Sequence, residues 1–428
     1  MAELLIRNGR VIDPASGRDE TADVWIRDGV IVAVAAGIQA PGAEVFDAGG
    51  LVVAPGFIDM HVHLREPGFE HAETIETGSR AAAAGGFTSV CPMPNTSPVN
   101  DNPTVTSYIV ERASRHALTN VFPIGCITKG GAGEALAEMG SMKKAGVVAL
   151  SDDGRPVMNA RVMRRAMETA RSFDLPLIQH CEDLNLSADG DVNEGLESTR
   201  LGLRGIPGCS EDVIVARDLL LAEFTGARYH VAHISTRRSI EMVAQAKAKG
   251  LPVTCEATPH HMSLADSDMR PYDSDYKMRP PLRSRDDVAA VVEALASGVV
   301  DAIATDHAPH AGSEKMQEFE RCPFGILGLE TALGVALEAL FHTGKVTLPW
   351  LIGLFTVGPA GILKLDRGRL APGAPADVTV FDPQLSWTYD VNRSLSKSRN
   401  SPWDGRTFRG GPVATVVDGV VVWHRSSH

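Results

Sequence analysis

His61 and His63 stand two residues apart, just after the apolar run Phe57 to Met60. In an extended strand, residues i and i+2 point to the same side, so the two imidazoles can share one ion. The pattern of an apolar run ending on a polar group then recurs. Val147 to Leu150 leads into Ser151-Asp152-Asp153-Gly154, Leu175 to Gln179 into His180, and Tyr229 to Ala232 into His233. Val300 to Ala304 leads into Thr305 and then Asp306-His307-Ala308-Pro309-His310. Imidazole nitrogens and carboxylate oxygens, with no thiolate among them, suit Zn²⁺, or Mn²⁺ and Co²⁺ as substitutes. Each group alone has a plainer reading. A lone His-x-His arises by chance, a single buried histidine is satisfied by a hydrogen bond, and an aspartate after a strand caps a helix. Their recurrence at five strand ends points to a metal centre.

Such a centre exists only if the fold gathers those ends. Eight apolar runs of strand length can be read: Phe57–Met60, Phe87–Cys91, Val121–Cys126, Val147–Leu150, Leu175–Gln179, Tyr229–Ala232, Val253–Cys255 and Val300–Ala304. Between them lie stretches of helical period, among them Thr74–Ala84, Thr104–Arg115, Met158–Ser172, Glu211–Phe224 and Ser239–Lys249. Strand and helix alternating in this way predict an α/β fold, a (β/α)8 barrel, whose chemistry gathers where the strands end. A doubly wound sheet would want a Gly-rich phosphate turn after its first strand, and none is present. The two chain ends read differently, as β hairpins around Asp28-Gly29 and Asp418-Gly419. Neither end has enough strands to bury a face alone, so together they predict one small β-sandwich module. The expected division is 1–55 and 366–428 for its two halves, with a catalytic barrel over 56–365.

Composition narrows the classes. The 428 residues carry 41 Lys and Arg against 53 Asp and Glu, a net charge of −12, which argues against sequence-independent nucleic-acid binding. No apolar run approaches the length of a membrane helix, and the start of the chain does not read as a signal peptide. Six cysteines, at 91, 126, 181, 209, 255 and 322, form no Cys-x-x-Cys. They predict reduced thiols in a cytoplasmic protein.

Three motifs carry a family resemblance. Asp59-Met60-His61-Val62-His63-Leu64-Arg65-Glu66-Pro67-Gly68 resembles the first signature of the dihydroorotases, within the cyclic amidohydrolase superfamily. Ala304-Thr305-Asp306-His307-Ala308-Pro309-His310, with Lys315 beyond, resembles the second, and Pro92-Met93-Pro94-Asn95-Thr96 adds a third match. At the fourth strand, hydantoinases, allantoinases and some dihydroorotases carry a lysine that is carboxylated to bridge two metals. Here Asp152-Asp153 stand instead, as in the type I bacterial dihydroorotases, and Asp153 is the expected bridge. Lys143 and Lys144 precede that strand and are expected on a solvated face.

The resemblance implies roles. His61, His63 and Asp306 would hold a first zinc, His180 and His233 a second, and Asp153 would bridge, giving one or two Zn²⁺ per subunit. The implied reaction is the reversible cyclisation of N-carbamoyl-L-aspartate to L-dihydroorotate in de novo pyrimidine synthesis. By that resemblance, hydrolysis would use a metal-activated water against the ring amide, with Asp306 as general base and then acid. Substrate contacts are expected from His63, Arg65, Asn95, His310, Phe324 and Gly325. One position departs: in Lys277-Met278-Arg279-Pro280-Pro281-Leu282, Arg279 stands where the family usually has an asparagine that helps bind substrate. Arg279 would either take over that contact or point away. Cys181 should face into packing, and His260 and His261 receive no role. The alternatives are another cyclic-amide hydrolase, disfavoured by Asp153, Arg65 and Asn95, and a silent scaffold for aspartate carbamoyltransferase, disfavoured by the complete ligand set. A homo-oligomer is expected, with that transcarbamoylase as a possible partner.

Overall fold

The computed structural model describes residues 3–425. Met1, Ala2 and 426–428 lie outside the described residues, and with them the start of the chain and the outermost residues of the two expected half-modules.

The barrel strands follow the predicted order. They are Phe57–Val62, Phe87–Pro92, the two successive fragments Asn120–Val121 and Ile124–Gly125, Ala149–Leu150, Leu177–Gln179, Tyr229–Val231, Val253–Ala257 and Ala302–Ile303. Every pairing between neighbouring barrel strands is parallel. The ring closes where His307 bridges Val62 and its carbonyl accepts from the His63 N–H at 2.8 Å. The third strand, predicted as one run, is broken at Phe122-Pro123. Proline has no N–H to offer the ladder. The first fragment pairs with the second strand and the other with the fourth.

Local chemistry starts the helices. Thr74 caps Ile75–Ala84 by accepting from the Thr77 N–H, Asn102 caps Pro103–His116, and Asn159 caps Ala160–Ser172. Each side chain satisfies an amide that the helix itself leaves unpaired.

The chain ends form one eight-stranded sheet. Its path runs Val420–His424, Thr407–Val417, Val378–Thr388, Val52–Pro55, Glu3–Asp13, Arg18–Arg27 and Val30–Ala35, and Glu44–Asp47 pairs with Glu3–Asp13. The seam between the ends is the antiparallel pairing of Val378–Thr388 with Val52–Pro55. Val11, Val24 and Val53 pack in one core with Val378, Val380 and Val416. Both Asp-Gly pairs take positive φ, 52° and 77° at Asp28-Gly29 and 45° and 81° at Asp418-Gly419, as tight hairpin turns require. Among the described residues, no helix is long and apolar enough to cross a membrane.

Candidate metal centre

Three of the four histidines, His61, His63 and His180, are aimed by a second partner, while His233 Nδ1 is buried without one. Nδ1 of His61 lies 2.6 Å from Glu256 Oε1, and Nδ1 of His63 lies 2.9 Å from Asn95 Oδ1. Both acceptors call for a proton on Nδ1, which leaves Nε2 with its lone pair facing inward. His180 is turned the other way. Its Nε2 lies 2.9 Å from Glu182 Oε2, so Nδ1 faces inward, 2.9 Å from His233 Nε2.

Three triads result, in each of which one donor atom per residue lies within 4.8 Å of the others: His61, His63 and Asp153; His61, His233 and Asp306; and Asp153, His180 and His233. Asp153 belongs to the first and third, the placement a bridging carboxylate needs. Its Oδ1 lies 3.4 Å from His61 Nε2 and 3.6 Å from His233 Nε2, while Oδ2 lies 3.4 Å from His63 Nε2. Asp306 Oδ1 approaches the His63 and His61 Nε2 atoms at 3.1 and 3.5 Å. His61 Nε2 and Asp153 Oδ1 are buried with no hydrogen-bond partner. Burying unpaired polar atoms is costly. Two imidazole nitrogens facing each other at 2.9 Å also need a shared proton or cation between them. These donors fit one or two divalent ions.

The electrostatics are cation-seeking. Burial works against a charged His61 ring, but the charges of Asp153, Glu256 and Asp306 outweigh it and raise its pKa well above the ordinary value. Burial likewise opposes ionisation of Asp153 and Asp306, and the surrounding imidazoles nevertheless hold both low. For Glu182, burial is overcome by the hydrogen bond from His180 and the charges of His180 and Arg279, holding its carboxyl at about 2. A field that favours a proton on these nitrogens favours a metal ion in its place.

Neighbouring residues separate cleanly. Asp152 points away from the centre, accepting from the Ile127 and Thr128 amides at 2.8 and 3.0 Å and from the Thr128 hydroxyl. Lys143 and Lys144 are exposed. Cys181 is buried, its Sγ 3.3 Å from the Tyr229 hydroxyl. His261 is tied to Thr258 and the Pro280 carbonyl. His260 is buried beside it with Nε2 unpartnered. Arg65, His233 and Asp306 have φ of 61°, 32° and 48°, a left-handed region that non-glycine residues rarely occupy. Strain of this kind, about 1–3 kcal/mol per residue, persists where the surroundings over-determine the conformation.

The expected substrate contacts gather beside the metal donors. The Arg65 Nε donates to Pro309 O at 3.0 Å, and its Nη2 lies 3.3 Å from His310 Nε2. Burial lowers the Arg65 pKa to about 10, which still leaves it cationic near neutral pH. Burial, and then the charges of Arg65 and Lys315, bring His310 down to about 2, so the ring is neutral and donates from Nε2 to Phe324 O at 2.8 Å. Asn95 spans the centre, since its Nδ2 also reaches Asp153 O at 3.4 Å. Gly325 has φ of 153°, and a Cβ there would meet Ala308 O at 2.6 Å and the His310 ring at 2.8 Å. Its N–H donates to Lys277 O, and its carbonyl accepts from Lys315 Nζ and Asn400 Nδ2. Arg279 is turned onto Glu182, with Nε and Nη2 at 2.9 and 2.7 Å from Oε1.

Sequence reasoning missed Glu182, Glu256 and Asn400. Glu182 lies two residues past His180, and Glu256 is a carboxylate inside the apolar strand Val253–Ala257, so both carried a local signal. Asn400 carried none. It reaches the site from the far end of the chain, bonding His310 N, Ala308 O and Gly325 O.

The Dihydro-orotase-like family model matches residues 50–239. A protein named dihydroorotase from Solibacter usitatus (strain Ellin6076) is 69% identical over 424 residues, covering 99% of each chain. One of the same name from Geobacter metallireducens (strain ATCC 53774 / DSM 7210 / GS-15) is 52% identical, covering 99% of this chain and 100% of its own. Among solved structures, the L-hydantoinase (dihydropyrimidinase) from Arthrobacter aurescens superposes with a TM-score of 0.89 at 24% identity, covering 100% of this chain and 97% of that one. The dihydropyrimidinase from Brevibacillus agri NCHU1002 gives 0.86 at 23%, covering 99% and 95%. At such identities these structures share the fold.

Proposed function

The chain belongs to the dihydroorotase family, and on that premise we propose that it interconverts N-carbamoyl-L-aspartate and L-dihydroorotate as a metal-dependent cyclic amidohydrolase. The observation that carries this reading is one shared rim. The six donors His61, His63, Asp153, His180, His233 and Asp306 adjoin Arg65, Asn95 and His310, groups able to hold a substrate carboxylate.

Zinc is the metal we propose, at one or two sites, on the strength of a nitrogen and oxygen donor set. Bound there, it would acidify a water and polarise the scissile carbonyl. The remaining work falls to the chain. Arg65 offers a planar donor fork to the substrate carboxylate, with His310 and Asn95 beside it. Asp306 takes the proton from the attacking water and returns it to the leaving ring nitrogen. His63 and the Phe324–Gly325 segment flank the ring. In biosynthesis the same proton path runs backwards, with loss of water.

We further propose a cytoplasmic homo-oligomer, supported by six free cysteines and by the exposed apolar side chains Leu196, Leu220 and Phe224. Aspartate carbamoyltransferase is the proposed partner, on the family resemblance. The deciding experiment measures turnover of dihydroorotate, hydantoin and allantoin by one zinc-loaded sample. Dihydroorotate should be preferred, and equal or faster turnover of either other ring would overturn the reading.

A further inference from the structure

Arg279 stands where the family usually carries a substrate-binding asparagine, yet its guanidinium is already engaged. Nε and Nη2 both reach Glu182 Oε1, at 2.9 and 2.7 Å, and Nη2 lies 3.4 Å from the Ser187 hydroxyl. The other oxygen of the same carboxylate, Oε2, takes the Nε2 proton of His180 at 2.9 Å. His180 then presents Nδ1 to His233 Nε2 at 2.9 Å and to Asp153 Oδ1 at 3.8 Å. The guanidinium also lies over the ring of Phe324, 4.9 Å from its centroid, and Lys277 Nζ approaches that ring at 4.6 Å. Turning Arg279 toward a substrate carboxylate would break the ion pair and leave Glu182, which is nearly buried, without its cation.

We propose that Arg279 is a positioning residue for the metal held by Asp153, His180 and His233, acting through Glu182 on the His180 ring and tying that ring to the Phe324 loop. The chain of contacts gives each member one task. Glu182 fixes the tautomer of His180 so that Nδ1 is the free donor. Arg279 neutralises Glu182 and holds it in one rotamer, because a planar fork restrains a carboxylate more than a point charge does. Stacking on Phe324 couples the substrate-side loop to the orientation of a metal ligand. This inference rests on the metal-dependent reading above.

The test uses the full-length zinc-loaded protein. Arg279→Asn, Arg279→Lys, Glu182→Gln and the double variant Arg279→Asn/Glu182→Gln are compared with wild type, after circular dichroism confirms folding. Zinc release to a coloured chelator is followed alongside KM and kcat for dihydroorotate at saturating zinc. Loss of an outer partner of a metal ligand typically costs ~10–100-fold in metal affinity. One zinc equivalent should therefore leave ~10–100-fold faster from Arg279→Asn and from Glu182→Gln. KM should change by no more than a few-fold when zinc is saturating, from the looser Phe324 loop, and Arg279→Lys should recover part of the retention. The double variant should release zinc no faster than Glu182→Gln alone, because the two residues act in series. Wild-type zinc retention in Arg279→Asn, with KM raised tenfold or more, would make Arg279 a substrate ligand and overturn the proposal. A His180→Ala control separates the two levels: if it loses no zinc relative to wild type, the His180 metal site itself is wrong, and the inference falls with it.

Discussion

Two adjacent aspartates show how much one residue's direction decides. Asp153 faces the imidazoles, while Asp152 faces the Ile127 and Thr128 amides. We expect Asp153→Ala to cut turnover by orders of magnitude and to release zinc, because two triads share that carboxylate. Asp152→Ala should keep its zinc and lower the melting temperature, since each buried donor left unpaired costs about 1–3 kcal/mol. Zinc analysis and calorimetry on both variants check this, and zinc loss from Asp152→Ala alone would reverse the assignment. Asp306 is the proposed proton carrier. Asp306→Asn preserves size and one oxygen but removes the titrating group. We expect a folded protein with part of its zinc and at least ~100-fold lower turnover, within the range general acid–base catalysis supplies. Near-normal turnover by the zinc-loaded variant would place the proton elsewhere, with His310 the first residue to examine.

The loop carrying Phe324 and Gly325 is held as an element. Lys315 Nζ donates to Pro323 O at 3.0 Å and Gly325 O at 3.2 Å. Burial lowers the Lys315 pKa from the ordinary 10.5 to about 8. Below about pH 8 the folded protein carries the buried ammonium at a cost in stability, but with its charge-assisted bonds intact. Between about 8 and 10.5 the unfolded chain holds the extra proton, so this residue's contribution to stability rises with pH across that window. Loop grip has the opposite sign, because losing the charge weakens both bonds. We therefore expect KM for dihydroorotate to rise as pH passes 8, and Lys315→Met to show a higher KM that no longer changes there. A wild-type KM flat from pH 7 to 9 would show that the loop does not depend on the ammonium.

At the scale of the whole molecule, the C-terminal segment reaches the candidate site. The Ser396 hydroxyl donates to Glu73, whose carboxylate also lies 3.4 Å from His307. The Asn400 side chain clasps three backbone groups, His310 N, Ala308 O and Gly325 O, and its backbone carbonyl accepts from Leu327 N at 2.9 Å. Asn400→Ala should therefore raise KM markedly while zinc content stays at the wild-type level, as metal analysis and steady-state kinetics on one preparation would show. Unchanged KM would reduce Asn400 to a packing residue. The same tie explains why the β sheet is built from both ends. Its seam, Val378–Thr388 on Val52–Pro55, sets the C-terminal segment where Asn400 can reach the barrel mouth.

The clustered His and Asp groups and the barrel were legible in the sequence because both depend on short-range periodicity. A parallel barrel strand is an apolar run, and a polar residue at its end is visible without knowing what lies across the ring. Asp28-Gly29 and Asp418-Gly419 were legible for the same reason, since a hairpin turn is a local backbone requirement. What alternation could say of Asp152 and Asp153 was only that they diverge. Which of them faces the imidazoles follows from the Ile127 and Thr128 amides in the loop after the preceding strand segment Ile124–Gly125. The rotation of Arg279 onto Glu182 and the reach of Asn400 across 92 residues to Ala308 were decided by tertiary structure alone. Each depends on groups that become neighbours only when the ring closes, and no spacing along the chain encodes such a meeting.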